Sequence, residues 1–134
     1  MGYIEKINGK DPIPALVVEL FNASTKLHIL HLTVSGRGSY AAHKALQEIY
    51  EGLIEHADSI AEGYQGATME ILNFPDLSSS GKLLSVNDAI NYLNSLSKKI
   101  TAVQKGVTFS EVVNDLDALK SAINSAVYKL KFLS

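Results

Sequence analysis

The stretch Ser35-Gly36-Arg37-Gly38-Ser39 decides the fold, because it separates two long segments with helical apolar periodicity. Its glycines interrupt a helix and permit a tight bend, since glycine adopts backbone conformations that other residues avoid. If the flanking segments are antiparallel helices folding about residue 37, His31 and His43 lie six residues on either side of the bend and face each other. Facing imidazoles of this kind predict one half of a metal site.

Apolar residues recur at steps of three and four in four segments of the chain, which is typical of helices packed in a bundle. The pattern predicts helices from Pro12 to Val34, from Ser39 to about Gly66, from Ser85 to Gly106 and from Thr108 to the C-terminus. Hydroxyl side chains at the start of the last three are the predicted N-caps. In the second helix, the positions expected to face the core are Ala42, Leu46, Ile49, Leu53, Ala57, Ile60 and Tyr64.

Short links join the first helix to the second and the third to the fourth, so each pair is expected to form an antiparallel hairpin. Residues 67–84 connect the hairpins and, at about 3.3 Å per residue, reach roughly 60 Å, more than one helix length. The predicted fold class is therefore all-α, a ferritin-like up-down-down-up four-helix bundle with a long crossover between the second and third helices. An up-down bundle with a flexible insert is the alternative. Part of the crossover is expected to pack on apolar surface, through Met69, Ile71, Leu72 and Phe74.

Length and composition predict the number of domains and argue against a membrane protein, a thiolate metal site and strong DNA binding. A chain of 134 residues predicts one domain spanning residues 1–134. Apolar residues make up 46% of the chain and form no run of the length that a membrane span requires, so no membrane span is expected. The absence of cysteine excludes thiolate metal sites, and an N-terminus without a signal-peptide layout predicts a cytoplasmic location. The net charge of −2 predicts weak DNA binding at most.

The second half of the candidate metal site lies further along the second helix, at Asp58 and Glu62. Asp58 comes 15 residues after His43, which is about 22 Å along a helix at about 1.5 Å per residue. One subunit therefore cannot close the site alone. At 100° per residue, Asp58 and Glu62 share with His43 and Gln47 a strip beside the core positions.

Apolar residues in the same strip, Tyr50, Ile54 and Ala61, predict a contact with a second subunit. If two copies of this helix cross antiparallel about a two-fold axis near residues 50 and 51, position 43 of one chain meets position 58 of the other. The predicted metal ligands are His31, His43, Asp58 and Glu62, with Gln47 adding a neutral oxygen. Two imidazoles and two carboxylates suit ferrous iron, with zinc as a possible substitute.

Residues 31–66 resemble the signature region of the Dps proteins, the miniferritins known as DNA-binding proteins from starved cells. That family reads His-Trp-Asn-Val-x-Gly, then Leu-His, then Asp-x-Ile-Ala-Glu-Arg, and this chain carries His31, His43 and the run Asp58-Ser59-Ile60-Ala61-Glu62 in register. The resemblance implies a four-helix protomer, a hollow dodecamer built from two-fold dimers, and ferroxidase sites between subunits. Such sites oxidise ferrous iron, preferentially with hydrogen peroxide. Iron sequestration and protection against oxidative stress are the functions that it implies.

Three positions depart from the family pattern. Leu32 replaces the Trp, Gln47 replaces an Asp that the family carries one turn after the second histidine, and Gly63 replaces the final Arg. A second interpretation therefore stays open, in which a degenerate ferritin-like domain serves a structural or protein-interaction role without ferroxidase activity. A third is an unrelated helical bundle that binds a partner through its surface.

Overall fold

The structure, a computed structural model, describes residues 11–77 and 81–133. Within these ranges the regular elements are four α-helices: α1 (Pro12–Thr33), α2 (Ser39–Thr68), α3 (Val86–Gln104) and α4 (Ser110–Phe132). The prediction of four helices and no strands is confirmed for this part of the chain. The prediction that the N-terminus lacks a signal-peptide pattern concerns residues 1–10, which lie outside the described residues. The serines at positions 78–80 of the crossover lie outside them as well.

Local sequence explains where the helices begin. The Asp11 carboxylate accepts a hydrogen bond from the Ile13 N–H at 3.0 Å, and the Ser85 hydroxyl accepts one from the Asp88 N–H at 3.1 Å. Both side chains satisfy N–H groups that have no partner in the first helical turn. The N-caps of α2 and α4 are Gly38 and Phe109 rather than the predicted Ser39 and Thr108. Gly38 has a φ of 80°, in the left-handed region that glycine tolerates.

Buried apolar residues from all four helices form one core. All seven predicted core positions of α2 are buried, so the periodicity identified the inward face of this helix correctly. Helix α1 packs against α2 and α3, and α4 packs against the same two helices. The hairpin of α1 and α2 is further pinned by the buried Ser24, whose hydroxyl donates to the Tyr50 carbonyl oxygen at 2.7 Å.

A polar contact joins α1 to α3. The Tyr92 hydroxyl donates a hydrogen bond to the Glu19 carboxylate, and the Lys99 ammonium lies 3.9 Å from the same carboxylate. Burial, reinforced by Glu19, raises the pKa of Tyr92 above its usual range, so the phenol keeps its proton and remains the donor. The Glu19 carboxylate is therefore engaged at the α1–α3 contact.

The crossover packs on the bundle less than expected. Leu72 is partly buried against the core, but Met69 is 85% exposed and Ile71 is 86% exposed. Phe74 is also exposed, at 43%. The prediction was wrong for these three side chains because composition does not say which face of an irregular segment meets the bundle.

Helix α1 is long and apolar enough to cross a membrane by length and composition, with a mean hydropathy of 1.2 over its most apolar window. In the structure, 56% of that window is buried inside the bundle. Core helices pass the same test as membrane helices, so this feature is weak evidence for a span.

Candidate metal-binding site

His31 and His43 face each other across the bend between α1 and α2, as the spacing predicts. Their ring centroids lie 3.6 Å apart and the ring planes are inclined by 19°, so the imidazoles are stacked. His31 is buried, with 6% of its surface exposed, whereas His43 is half-buried. One ring is thus enclosed by protein and the other lies at the edge of the solvent.

Reciprocal hydrogen bonds hold the two rings. His31 Nδ1 lies 2.7 Å from the His43 carbonyl oxygen, and His43 Nδ1 lies 3.0 Å from the His31 carbonyl oxygen. A carbonyl oxygen only accepts hydrogen bonds, so Nδ1 is the protonated nitrogen of each ring. In the neutral imidazole the remaining nitrogen, Nε2, then carries a lone pair. This is the arrangement usual for metal-binding histidines, in which the nitrogen that does not bind the metal donates to a carbonyl or a carboxylate.

One of these hydrogen bonds also satisfies a carbonyl group at the C-terminal end of α1. The His31 carbonyl belongs to the last turn of α1, where carbonyl groups lack intrahelical donors, and His43 supplies one from the first turns of α2. The pair therefore also stabilises the hairpin. This second role needs no metal.

Two further rings complete an aromatic cluster that sequence reasoning did not assemble. His28 stacks on Tyr50 with centroids 4.0 Å apart and planes inclined by 10°, and its ring centroid lies 5.8 Å from that of His31. The Tyr50 ring meets His31 edge-on at 5.2 Å. The position of His28 one turn before His31 is the sequence feature that could have placed it in this cluster. Spacing alone did not predict that Tyr50 lies between the two helices.

Asp58 and Glu62 are exposed on α2, away from the bend. Because about 22 Å of helix separates Asp58 from His43 at about 1.5 Å per residue, the two cannot bind the same ion within one chain. The described residues of one chain contain no group of three or more His, Cys, Asp or Glu side chains placed to hold a metal. The predicted ligands therefore occupy two separate positions in the chain, and their role as ligands stays a prediction.

Gln47 is half-buried and lies one turn after His43. Its side-chain nitrogen donates a hydrogen bond to a carboxylate oxygen of Glu51 at 3.1 Å. An amide nitrogen donates hydrogen bonds and has no lone pair for a metal. Only the amide oxygen of Gln47 could therefore be a metal ligand. Gln47 was a predicted ligand, whereas its partner Glu51 was not among the predicted site residues.

Carboxylates follow one side of α2 at steps of three and four: Glu48, Glu51, Glu55, Asp58 and Glu62. Like charges at this spacing repel each other by about 0.2–0.5 kcal/mol per pair. Glu48 is compensated by Lys129 of α4, whose ammonium lies 2.7 Å from its carboxylate. The strip that carries the predicted ligands is therefore locally acidic, which favours the approach of a cation.

A family model matches residues 31–130, and its description is "Family of unknown function (DUF5856)". The chain belongs to this family. The part of this chain that matches DUF5856 begins at His31. It includes the bend, α2, the crossover, α3 and most of α4. No curated protein and no solved structure matches the chain.

Proposed function

We propose that the protein is a Dps-like, ferritin-like subunit that binds ferrous iron at sites shared by two subunits and oxidises it, thereby sequestering iron and protecting against oxidative stress. The observation that carries this proposal is the pair of Nδ1 hydrogen bonds between His31 and His43. They select the tautomer in which both Nε2 atoms can bind a metal, and they fix the two rings before any metal arrives.

We further infer that the helices run up-down-down-up, as in ferritin-like proteins. Support comes from the contacts at the ends of α1. Leu16 near its start lines a groove with Val103 at the end of α3, and Leu30 near its end lines a cavity with Val86 at the start of α3. Helix α3 would then be antiparallel to α1 and parallel to α2, which requires the long crossover.

The second half of the site would come from the partner subunit. Ile54 is 37% exposed on α2, and Tyr50 and Ala61 beside it are partly buried. Two such faces crossing antiparallel would cover this apolar surface and bring Asp58 and Glu62 of each copy to the histidines of the other. Asp58 and Glu62 of one copy and the imidazoles of the other would then form two equivalent sites in each dimer.

Each group would have a distinct part in iron oxidation. The imidazoles bind ferrous iron, and the carboxylates favour the ferric product because hard anionic oxygens stabilise the higher charge. Two ferrous ions together give the two electrons that reduce one hydrogen peroxide to two hydroxide ions. Burial of His31 and the ring of Tyr50 against it keep water from one side of the site.

A second candidate is a degenerate ferritin-like domain with a structural or protein-interaction role. Its supporting observation is that the two histidines make their Nδ1 hydrogen bonds within the hairpin itself, where they also complete the end of α1. The presence of Gln47 in place of a carboxylate supports the same interpretation.

Particle mass and iron oxidation test the proposal together. We expect static light scattering at micromolar protein to give a particle larger than a dimer, consistent with a dodecamer. Ferrous iron added to that particle with hydrogen peroxide is expected to produce the near-ultraviolet ferric absorbance faster than in buffer alone. A monomer would contradict the shared site, whereas a large particle without faster oxidation would favour the structural role.

A further inference from the structure

The hydrogen bond between Gln47 and Glu51 bears on how a neutral side chain can serve the proposed site. Glutamine offers a metal one useful atom, its carbonyl oxygen, and the amide can equally well turn its NH₂ group the same way. An NH₂ group has no lone pair to give and would oppose a cation. Affinity for a metal therefore depends on which way the amide is turned.

Glu51 fixes which way the side-chain amide of Gln47 is turned. Its carboxylate accepts only, so the side chain of Gln47 must present nitrogen to it, as the 3.1 Å contact shows. The oxygen of the amide is then turned away from Glu51. Glu51 lies one turn after Gln47 and His43 lies one turn before it, so the amide nitrogen is committed to the neighbour on the side away from His43.

We propose that Glu51 is a positioning residue that holds the Gln47 amide with its oxygen available to the metal bound by His43. The inference rests on the proposed function, since it requires a metal at that site. Glu51 acts through Gln47 and does not itself bind the ion. It compensates in part for the absence of a carboxylate at position 47.

The helix offers matched variants for a test by calorimetric titration with Zn²⁺, which binds without redox chemistry. Glu51→Gln removes the charge and lets the new amide either donate or accept, so Gln47 loses its fixed orientation. Glu51→Asp keeps an acceptor within reach, since glutamine pairs with aspartate at this spacing in helices. Glu55→Gln removes the same charge one turn further from Gln47, where the residue is also exposed.

We expect Glu51→Gln to weaken Zn²⁺ binding by about tenfold, the lower end of the loss seen when an outer partner of a metal ligand is removed. Glu51→Asp should restore most of the affinity, and Glu55→Gln should leave it close to that of the unmodified protein. In a Gln47→Ala background, Glu51→Gln should have no further effect, because the group that it positions is gone.

Other outcomes separate the two proposals. Equal losses from Glu51→Gln with and without Gln47 would overturn the positioning role, because Glu51 would then act on the metal directly. Equal losses from Glu51→Gln and Glu55→Gln would overturn it too, since they would report only general electrostatics. If Zn²⁺ binds and depends on His43 but not on Glu51, the positioning role alone fails. If the unmodified protein binds no Zn²⁺, the proposed function fails with it.

Discussion

His43→Ala is expected to weaken Zn²⁺ or anaerobic Fe²⁺ binding by more than about 100-fold. Loss of a metal ligand should lower the affinity more than loss of a residue that hydrogen-bonds a ligand, which costs about 10–100-fold. The bundle should stay folded. His43 is half-buried beside the core, and the variant loses one hydrogen bond to the end of α1, a contact worth about 0.5–1.5 kcal/mol. Calorimetric titration measures the affinity, and urea unfolding measures the stability.

His56→Ala is the matched control for this change. His56 is also a half-buried histidine of α2, but it lies outside the strip that carries the predicted ligands. We expect it to leave metal affinity unchanged. Unchanged affinity in His43→Ala itself would mean that His43 only closes the hairpin, which is the structural interpretation.

Gln47→Asp is expected to raise the affinity for Fe²⁺ and to speed its oxidation, both by about tenfold or more, because an anionic ligand stabilises the ferric product more than a neutral oxygen does. Occupancy by a second metal ion should also rise. The metal-free protein should become slightly less stable, since the new carboxylate would face Glu51 at a spacing where like charges cost about 0.2–0.5 kcal/mol. Stopped-flow absorbance measures the oxidation rate, and titration measures the stoichiometry.

The double variant His43→Ala with Gln47→Asp controls for a general effect of the added charge. If position 47 acts at the site of His43, the gain should largely disappear in that background. A gain of equal size in both backgrounds, or no gain in either, would show that residue 47 does not face the proposed site.

Much of the fold could be predicted because it depends on periodic and local signals. The spacing of apolar residues in α2 identifies its buried face, and the glycines at positions 36 and 38, whose φ angles are 89° and 80°, identify the bend. Helix ends were less accurate, since α2 continues to Thr68. The exposure of Ile71 in the crossover could not be foreseen, because an irregular segment has no period from which its orientation follows.

The candidate site was predictable only in part. The facing of His31 and His43 follows from their equal distance from the bend, but their ring orientations depend on where each backbone carbonyl points in the folded hairpin. The stack of His28 on Tyr50 depends on the packing of α1 on α2, which a helical wheel of one segment does not contain. The bond from Gln47 to Glu51 has the right spacing in the sequence, but many such pairs form no contact.

Mixed subunits test most directly whether the metal site is shared between two chains. His43→Ala removes one half of the proposed site and Asp58→Asn removes the other, so each variant alone should bind metal poorly. Co-expressed subunits that pair at random should regain about a quarter of the sites, because half of the dimers are mixed and each of these has one intact site of two. The same variants mixed after assembly, without exchange of subunits, should regain none. Recovery of Zn²⁺ stoichiometry only on co-expression is the result that we predict, and no recovery on co-expression would contradict a site built from His43 of one subunit and Asp58 of the other.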